Sequence, residues 1–256
     1  MKIARFSHQG GIRFGIVDDG DLVVLEGDPM FAGYEPTGER VPLADAALLA
    51  PVIPRSKVVC VGRNYHDHAA EFGNVAPEEP LLFLKPNTAV IGPGDAIVRP
   101  IALSERTEFE GELVAVIGRI AKNVSAENAL EHVFGYTVGN DVTARDLQRK
   151  DGQWTRGKGF DTFCPLGPVI ETEFDDASAT IETRVNGEVR QHAPLSDMIH
   201  SVADIIAYAS AVFTLLPGDV ILTGTPAGVG PIVAGDTVEV EVSGIGTLRN
   251  PVRDAS

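Results

Sequence analysis

Apolar residues fall mostly into short runs that alternate with polar ones, the pattern of strands half-buried in a sheet. Residues 12–28, IRFGIVDDGDLVVLEGD, give two such runs around Asp18-Asp19-Gly20, and residues 180–191, TIETRVNGEVRQ, give two around Asn186-Gly187. Asp-Gly and Asn-Gly supply the positive φ of tight hairpin turns. Continuous apolar runs, VVCVG, ELVAVI, VFGYTVGN and DVILTG, read as buried strands. A helical period appears in residues 201–216, SVADIIAYASAVFTLL, and in residues 123–134, NVSAENALEHVF, where Ser125 stands as N-cap. Residues 143–170 are polar and rich in glycine and proline in their second half, which predicts a long loop of the kind that carries function. The fold class is therefore mainly β with some α, not a doubly wound α/β sheet. Pro51 and Pro54 mark a boundary, giving a small N-terminal β-rich domain over 1–54 and a larger domain over 55–256.

Composition narrows the partners. The 256 residues carry a net charge of −15, which disfavours nucleic acid and anionic membranes. An anionic substrate then needs local help from a metal, a lysine or an arginine. No apolar run reaches the roughly 20 residues of a membrane span, and the first residues, MKIARFSHQGG, lack the apolar core of a signal peptide. Two cysteines, Cys60 and Cys164, set no disulfide framework, so the expected location is cytoplasmic.

The chemistry centres on residues 107–113, TEFEGEL. Read as one strand, it projects Glu110 and Glu112 side by side with Val114 and Val116, and puts Phe109, Leu113, Ala115 and Ile117 on the other face. Both faces are apolar, so two charges sit where burial is costly unless something pairs with them. No lysine or arginine lies in that strand. Another apolar run, VFGYTVGN, ends at Asp141. Three carboxylates without thiol or imidazole make a hard-oxygen site, favouring Mg²⁺ or Mn²⁺, with Ca²⁺ also accommodated, over zinc. The plainer alternative is a solvated sheet face. GTPAGVG is no phosphate loop, since no Gly-Lys-Ser/Thr follows, and Gly-x-Ser-x-Gly is absent.

Six blocks in order resemble the fumarylacetoacetate hydrolase family: VVCVGRNYHDHAAE, LFLKPNTAVIGPGD, EFEGELVAVIG, GYTVGNDVTARDLQ, KGFDTFCPLGP and LLPGDVILTGTPAGVGP. The resemblance covers roughly residues 57–252. The resemblance implies a mixed β-sandwich roll with a small N-terminal β domain, working as a homodimer. It implies that Glu110, Glu112 and Asp141 hold the divalent metal, and that His68 and Glu71 form the pair that activates water in C–C hydrolases of the family. On a helix these two, three apart, share a face. Lys85 and Lys158 match basic positions facing the substrate, with Lys158 placed in the glycine-rich loop. Arg145 either anchors a substrate carboxylate or pairs with Asp146 or Asp151; Gln148 lies on the next turn, and Thr225 on a strand-to-turn step whose amides suit a carboxylate.

Within the family the chain is most similar to the bacterial 2-hydroxyhepta-2,4-diene-1,7-dioate isomerase branch, associated with aromatic catabolism. The expected activity is a metal-dependent reaction of a 2-oxo or 2-hydroxydienoic acid through a metal-stabilised enolate, with isomerisation first. Oxaloacetate decarboxylation and acylpyruvate hydrolysis are the alternatives, and a silent 2-oxo acid binder is the non-enzymatic one.

Overall fold

A computed structural model describes residues 1–67, 77–175 and 177–256. The main sheet runs, in spatial order, Pro36–Pro42, Asp21–Leu25, Gly11–Asp18, Lys2–His8, Cys164–Glu171, Val133–Asn140, Gly111–Ile117, Val220–Leu222, Val58–Gly62 and Leu81–Lys85. Neighbours along this path are antiparallel except Val220–Leu222 beside Val58–Gly62, which are parallel. Both predicted hairpins form, with positive φ at Asp19, Gly20, Asn186 and Gly187. The N-terminal strands extend the main sheet, since Lys2 and Ile3 pair with Glu171 and Ile170.

A second sheet, in the order Glu188–Pro194, Thr180–Val185, Thr237–Val242, Gly246–Asp254 and Ile97–Arg99, lies over the first. The alternation predicted for residues 111–117 explains how. Leu113, Ala115 and Ile117 point into a core shared with Ile181, Val240 and Leu248 of the second sheet. Val114 and Val116 point the other way, toward Cys60, Leu166 and Leu222. The result is a β-sandwich whose central strands are buried on both faces, as their unbroken apolar runs require.

Four local expectations need correction. Residues 107–117 are not one strand. Thr107–Phe109 pairs with Thr143–Ala144 and Gly230–Pro231 in a small separate sheet, and the chain breaks at Glu110 before Gly111–Ile117 joins the main one. At the break Glu110 N donates to Asn140 Oδ1 and Gly111 N to Gln191 Oε1, and a Cβ on Gly111 would stand 2.1 Å from Thr183 Oγ1. The two sheets touch there, and only glycine admits the contact.

The polar stretch expected to be a loop contains two helices, Arg145–Asp151 and Thr155–Lys158. Its arginines, lysines and glutamine are good helix formers, and Gly152 and Gly159 fall where the helices end, while Gly157 lies inside the second. The C-terminal amphipathic helix stops at Val212, short of 216, because Phe213 turns extended and Leu215 bridges to Ala121. It buries Val202, Ile205, Ile206 and Ala209, and Ser201 with Asp204 completes a capping box. The Ser125 helix is a single turn, Ala126–Ala129, continued by 3₁₀ geometry to His132.

Candidate active site

Strand pairing carries separate parts of the sequence to one place. Glu112 lies opposite Gly139, two residues before Asp141, and Val114 lies opposite Leu222, which leads into Gly224 and Thr225. Leu222 in turn lies beside Cys60, just ahead of Gly62 and Arg63. The start of one strand and the ends of three others thus converge on a cavity of about 450 Å³. Glu110, Glu112, Asp141, Arg145, Gln148, Lys158 and Thr225 all line it.

Three carboxylate oxygens, one each from Glu110, Glu112 and Asp141, lie within 4.8 Å of one another, and all three residues are buried. Backbone bonds fix the cluster. Asp141 N donates to Glu110 O at 2.8 Å, Glu110 N donates to Asn140 Oδ1 at 2.9 Å, and Thr143 Oγ1 donates to Asp141 O at 2.9 Å.

The strand itself carries no cation, but other elements bring them. Lys158 Nζ donates to Glu110 Oε2 at 2.7 Å and to Asp141 Oδ2 at 2.6 Å. Lys85 Nζ donates to Asp141 Oδ1 at 2.5 Å and to Val142 O at 3.1 Å. Arg145 donates to Glu110 Oε1, to Glu108 Oε2 at 2.6 Å and to Gln148 Oε1 at 2.6 Å. Neither partner expected for Arg145 is used. Asp146 accepts from Ser104 and from Glu105 N, and Asp151 pairs with Arg156. Lys158 does not ride on an open loop. It ends a helix, is 2% exposed, and lies 5.0 Å from the Phe83 ring centre.

Glu112 differs from its neighbours. Its Oε2 accepts from Gly224 N at 2.6 Å, but no lysine or arginine pairs with it among the described residues. The amide at the Thr225 turn thus holds one of the protein's own carboxylates. Burial, then Asp141 and Glu110, push the Glu112 pKa well above the usual carboxylate range. Burial opposes the charge on Lys158, yet Asp141 and Glu110 outweigh it and hold the ammonium's pKa above its ordinary value. The same balance holds for Arg145, where burial is outweighed by Glu110 and Glu108. A hard divalent cation fits this donor set. The oxygens are grouped, all from carboxylates, and the Glu112 carboxylate, though it feels the Lys158 charge, has no ion-pair partner among the described residues.

Gln191, which the sequence did not single out, ties the site to the second sheet. It is 1% exposed; its Oε1 accepts from Gly111 N at 3.0 Å, and its Nε2 donates to Thr225 Oγ1 at 2.8 Å and Pro226 O at 2.7 Å. It sits in a hairpin strand that carries no signal of chemistry. Glu108, Arg63, Arg149, Phe83 and Trp154 were also not singled out; the last four line the cavity. His68 and Glu71 lie outside the described residues.

Comparison with known proteins places this architecture. Residues 57–253 match the sequence profile of the fumarylacetoacetate (FAA) hydrolase C-terminal domain. The chain belongs to the fumarylacetoacetate hydrolase family. Residues 1–51 match the profile described as Rv2993c-like, N-terminal. A 5-carboxymethyl-2-hydroxymuconate delta-isomerase from Mycobacterium smegmatis is 50% identical, with a TM-score of 0.92 and full coverage of both chains. An oxaloacetate tautomerase of Bacillus subtilis is 42% identical over 82% of this chain and 74% of its own length. A maleylpyruvate hydrolase from Sphingobium sp. SYK-6, solved with manganese(II) and pyruvate, is 31% identical, with a TM-score of 0.83 and full coverage of both chains. Members of the family are metal-dependent isomerases, tautomerases and hydrolases. Among the described residues no helix is long and apolar enough to cross a membrane.

Proposed function

We propose that this chain is an Mg²⁺- or Mn²⁺-dependent enzyme that isomerises 2-hydroxydienoic diacids of the 2-hydroxyhepta-2,4-diene-1,7-dioate type. The observation that carries the reading is Glu112, a buried carboxylate without a cationic partner among the described residues, beside two carboxylates that have them. Bound by Glu110, Glu112 and Asp141, the divalent ion supplies a Lewis acid for the oxygen that gains charge as the substrate enolises.

The chain's own residues supply the rest. Lys158 bridges Glu110 and Asp141 and so holds an ammonium beside the place where that charge develops. Arg145 only donates, so the Gln148 oxygen must face it, which leaves the Gln148 NH₂ for a substrate oxygen. Thr225 is turned by Gln191, whose Nε2 donates to its hydroxyl oxygen; the Thr225 proton is therefore directed elsewhere, and a substrate carboxylate is its natural acceptor. Phe83 and Trp154, packed edge to face at 5.1 Å, wall one side and limit water there.

Isomerisation, tautomerisation, decarboxylation and C–C hydrolysis of these acids share one demand, stabilisation of charge on the oxygen at C2. Only hydrolysis also demands an activated water, the role assigned by resemblance to His68 and Glu71. The reading draws support from the relatives named as isomerase and tautomerase. The test is turnover of a 2-hydroxyhepta-2,4-diene-1,7-dioate, oxaloacetate and an acylpyruvate with and without Mn²⁺. Metal-dependent isomerisation of the dienedioate as the fastest reaction supports the assignment. Faster hydrolysis or decarboxylation replaces it, and metal binding without any turnover makes the protein a binder of 2-oxo acids.

A further inference from the structure

Four basic residues line the cavity: Arg63, Arg145, Arg149 and Lys158. Arg145 and Lys158 are committed to Glu108, Glu110 and Asp141. Arg63 is different. It is half-buried, and among the described residues it makes no hydrogen bond or ion pair. In a chain of net charge −15 an arginine facing a cavity without a carboxylate partner is conspicuous.

The backbone holds Arg63 there at a cost. Its φ is +59°, in the left-handed region that a residue with a Cβ seldom occupies. Both flanking residues are pinned. Gly62 lies under Trp154, and a Cβ on it would approach the Trp154 ring to 2.7 Å. Asn64 is fully buried; its Nδ2 donates to Thr223 O at 2.7 Å and His200 O at 3.0 Å, while its Oδ1 accepts from His200 N at 2.8 Å. With both neighbours held, Arg63 lies on the cavity wall.

From this we infer that Arg63 is a specificity residue that takes the distal carboxylate of a dioic substrate. This rests on the proposed function, in which the oxygen at C2 lies at the acidic cluster and the near carboxylate takes the Thr225 proton. A guanidinium matches a carboxylate with two parallel hydrogen bonds, and a half-buried position strengthens each of them. Arg149, exposed at the end of its helix and lining the same cavity, adds positive potential that draws in a second negative charge. The site so built prefers 2-oxo diacids over the otherwise identical monoacids.

The test is calorimetric binding to the Mn²⁺-loaded full chain. The probes are matched pairs: oxaloacetate with 2-oxobutyrate, 2-oxoglutarate with 2-oxopentanoate, and 2-oxoadipate with 2-oxohexanoate. At the chain length that spans the cavity, wild type is expected to bind the diacid about tenfold to a hundredfold tighter than its monoacid, the worth of a charge-assisted pair. In Arg63→Gln that ratio falls to near one, and in Arg63→Lys part of it returns. A wild-type ratio near one at every length, or a preference that survives in Arg63→Gln while Mn²⁺ still binds, overturns the assignment. If no acid of either kind binds the loaded protein, the 2-oxo acid reading itself fails, and the subsite falls with it.

Discussion

Lys158 occupies the place a cation is needed, and replacing it with methionine tests that directly. Methionine keeps the length and the apolar stem against Phe83 but removes the charge. The substitution takes from Glu110 and Asp141 the ammonium they share at 2.7 and 2.6 Å. Removing one partner of a buried ion pair costs about 3–5 kcal/mol, because a charge is left uncompensated. Glu110 keeps Arg145 and Asp141 keeps Lys85, so the lower end of that range, about 3 kcal/mol, is expected. For a chain of this size each kcal/mol moves Tm by roughly 2–4 °C, giving a drop of about 6–12 °C in the metal-free protein.

Metal then has the opposite effect. Without a competing ammonium, Mn²⁺ is expected to bind Lys158→Met more tightly than wild type. At a hundredfold excess over Kd it returns about 2.7 kcal/mol of stability, most of what was lost. Turnover stays low, because the group beside the developing enolate is gone. The assays are thermal melts with chelator and with Mn²⁺, and calorimetric titration of the metal. A chelated variant melting within about 2 °C of wild type, or one that binds Mn²⁺ more weakly, refutes the reasoning, because the ammonium would then not be standing in for the ion.

The remaining predictions concern the groups around it. Burial, Asp141 and Glu110 raise the Glu112 pKa, so the metal-free fold holds that proton to higher pH than the unfolded chain does. Its contribution to stability is therefore intact below the unfolded value of about 4.3 and is lost as pH rises above it. Glu112→Gln removes this loss, so melts with chelator should show its Tm advantage over wild type growing with pH; an advantage that shrinks with pH contradicts the sign. Mn²⁺ competes with the same proton, so wild-type affinity measured by titration should rise with pH. Gln191→Ala strands the buried Gly111 N–H, at a cost of about 1–3 kcal/mol, and loosens the Glu110–Glu112 bend. Urea unfolding checks the first effect and Mn²⁺ titration the second; unchanged metal affinity would confine Gln191 to a structural role.

Much of the fold was legible because local signals and tertiary context agree. Asp19-Gly20 and Asn186-Gly187 form the turns their residues demand, and the unbroken runs at Val58–Gly62, Gly111–Ile117 and Val133–Asn140 are the strands buried on both faces. The break at Glu110 was not legible, because the side chains that take the Glu110 and Gly111 amides, Asn140 and Gln191, lie 30 and 80 residues away. The helices at Arg145–Asp151 and Thr155–Lys158 are masked in the sequence by Gly152 and Gly159 at their ends and Gly157 inside the second.

The three carboxylates could be picked out because alternate spacing sets two of them together, even though the strand breaks at Glu110, and the third follows an apolar run. Their compensation could not be. Lys85, Arg145 and Lys158 come from three other elements, and only the fold sets them beside Glu110 and Asp141. Arg145 illustrates the limit. Sequence neighbours offered Asp146 and Asp151 as partners, whereas strand pairing brings Glu108 and Glu110 within reach. Gln191 shows the same limit more sharply, since nothing in its hairpin marks it out from the exposed residues on either side.

The proposed metal site sets Glu110, Glu112 and Asp141 around one divalent cation. Mn²⁺ titration of the chelator-treated protein, followed by electron paramagnetic resonance in wild type and in Glu112→Gln, tests it most directly. One tightly bound Mn²⁺ per wild-type chain is expected, with loss of that binding in a Glu112→Gln variant that remains folded. Equal Mn²⁺ binding by the two proteins, or none by wild type, would contradict it.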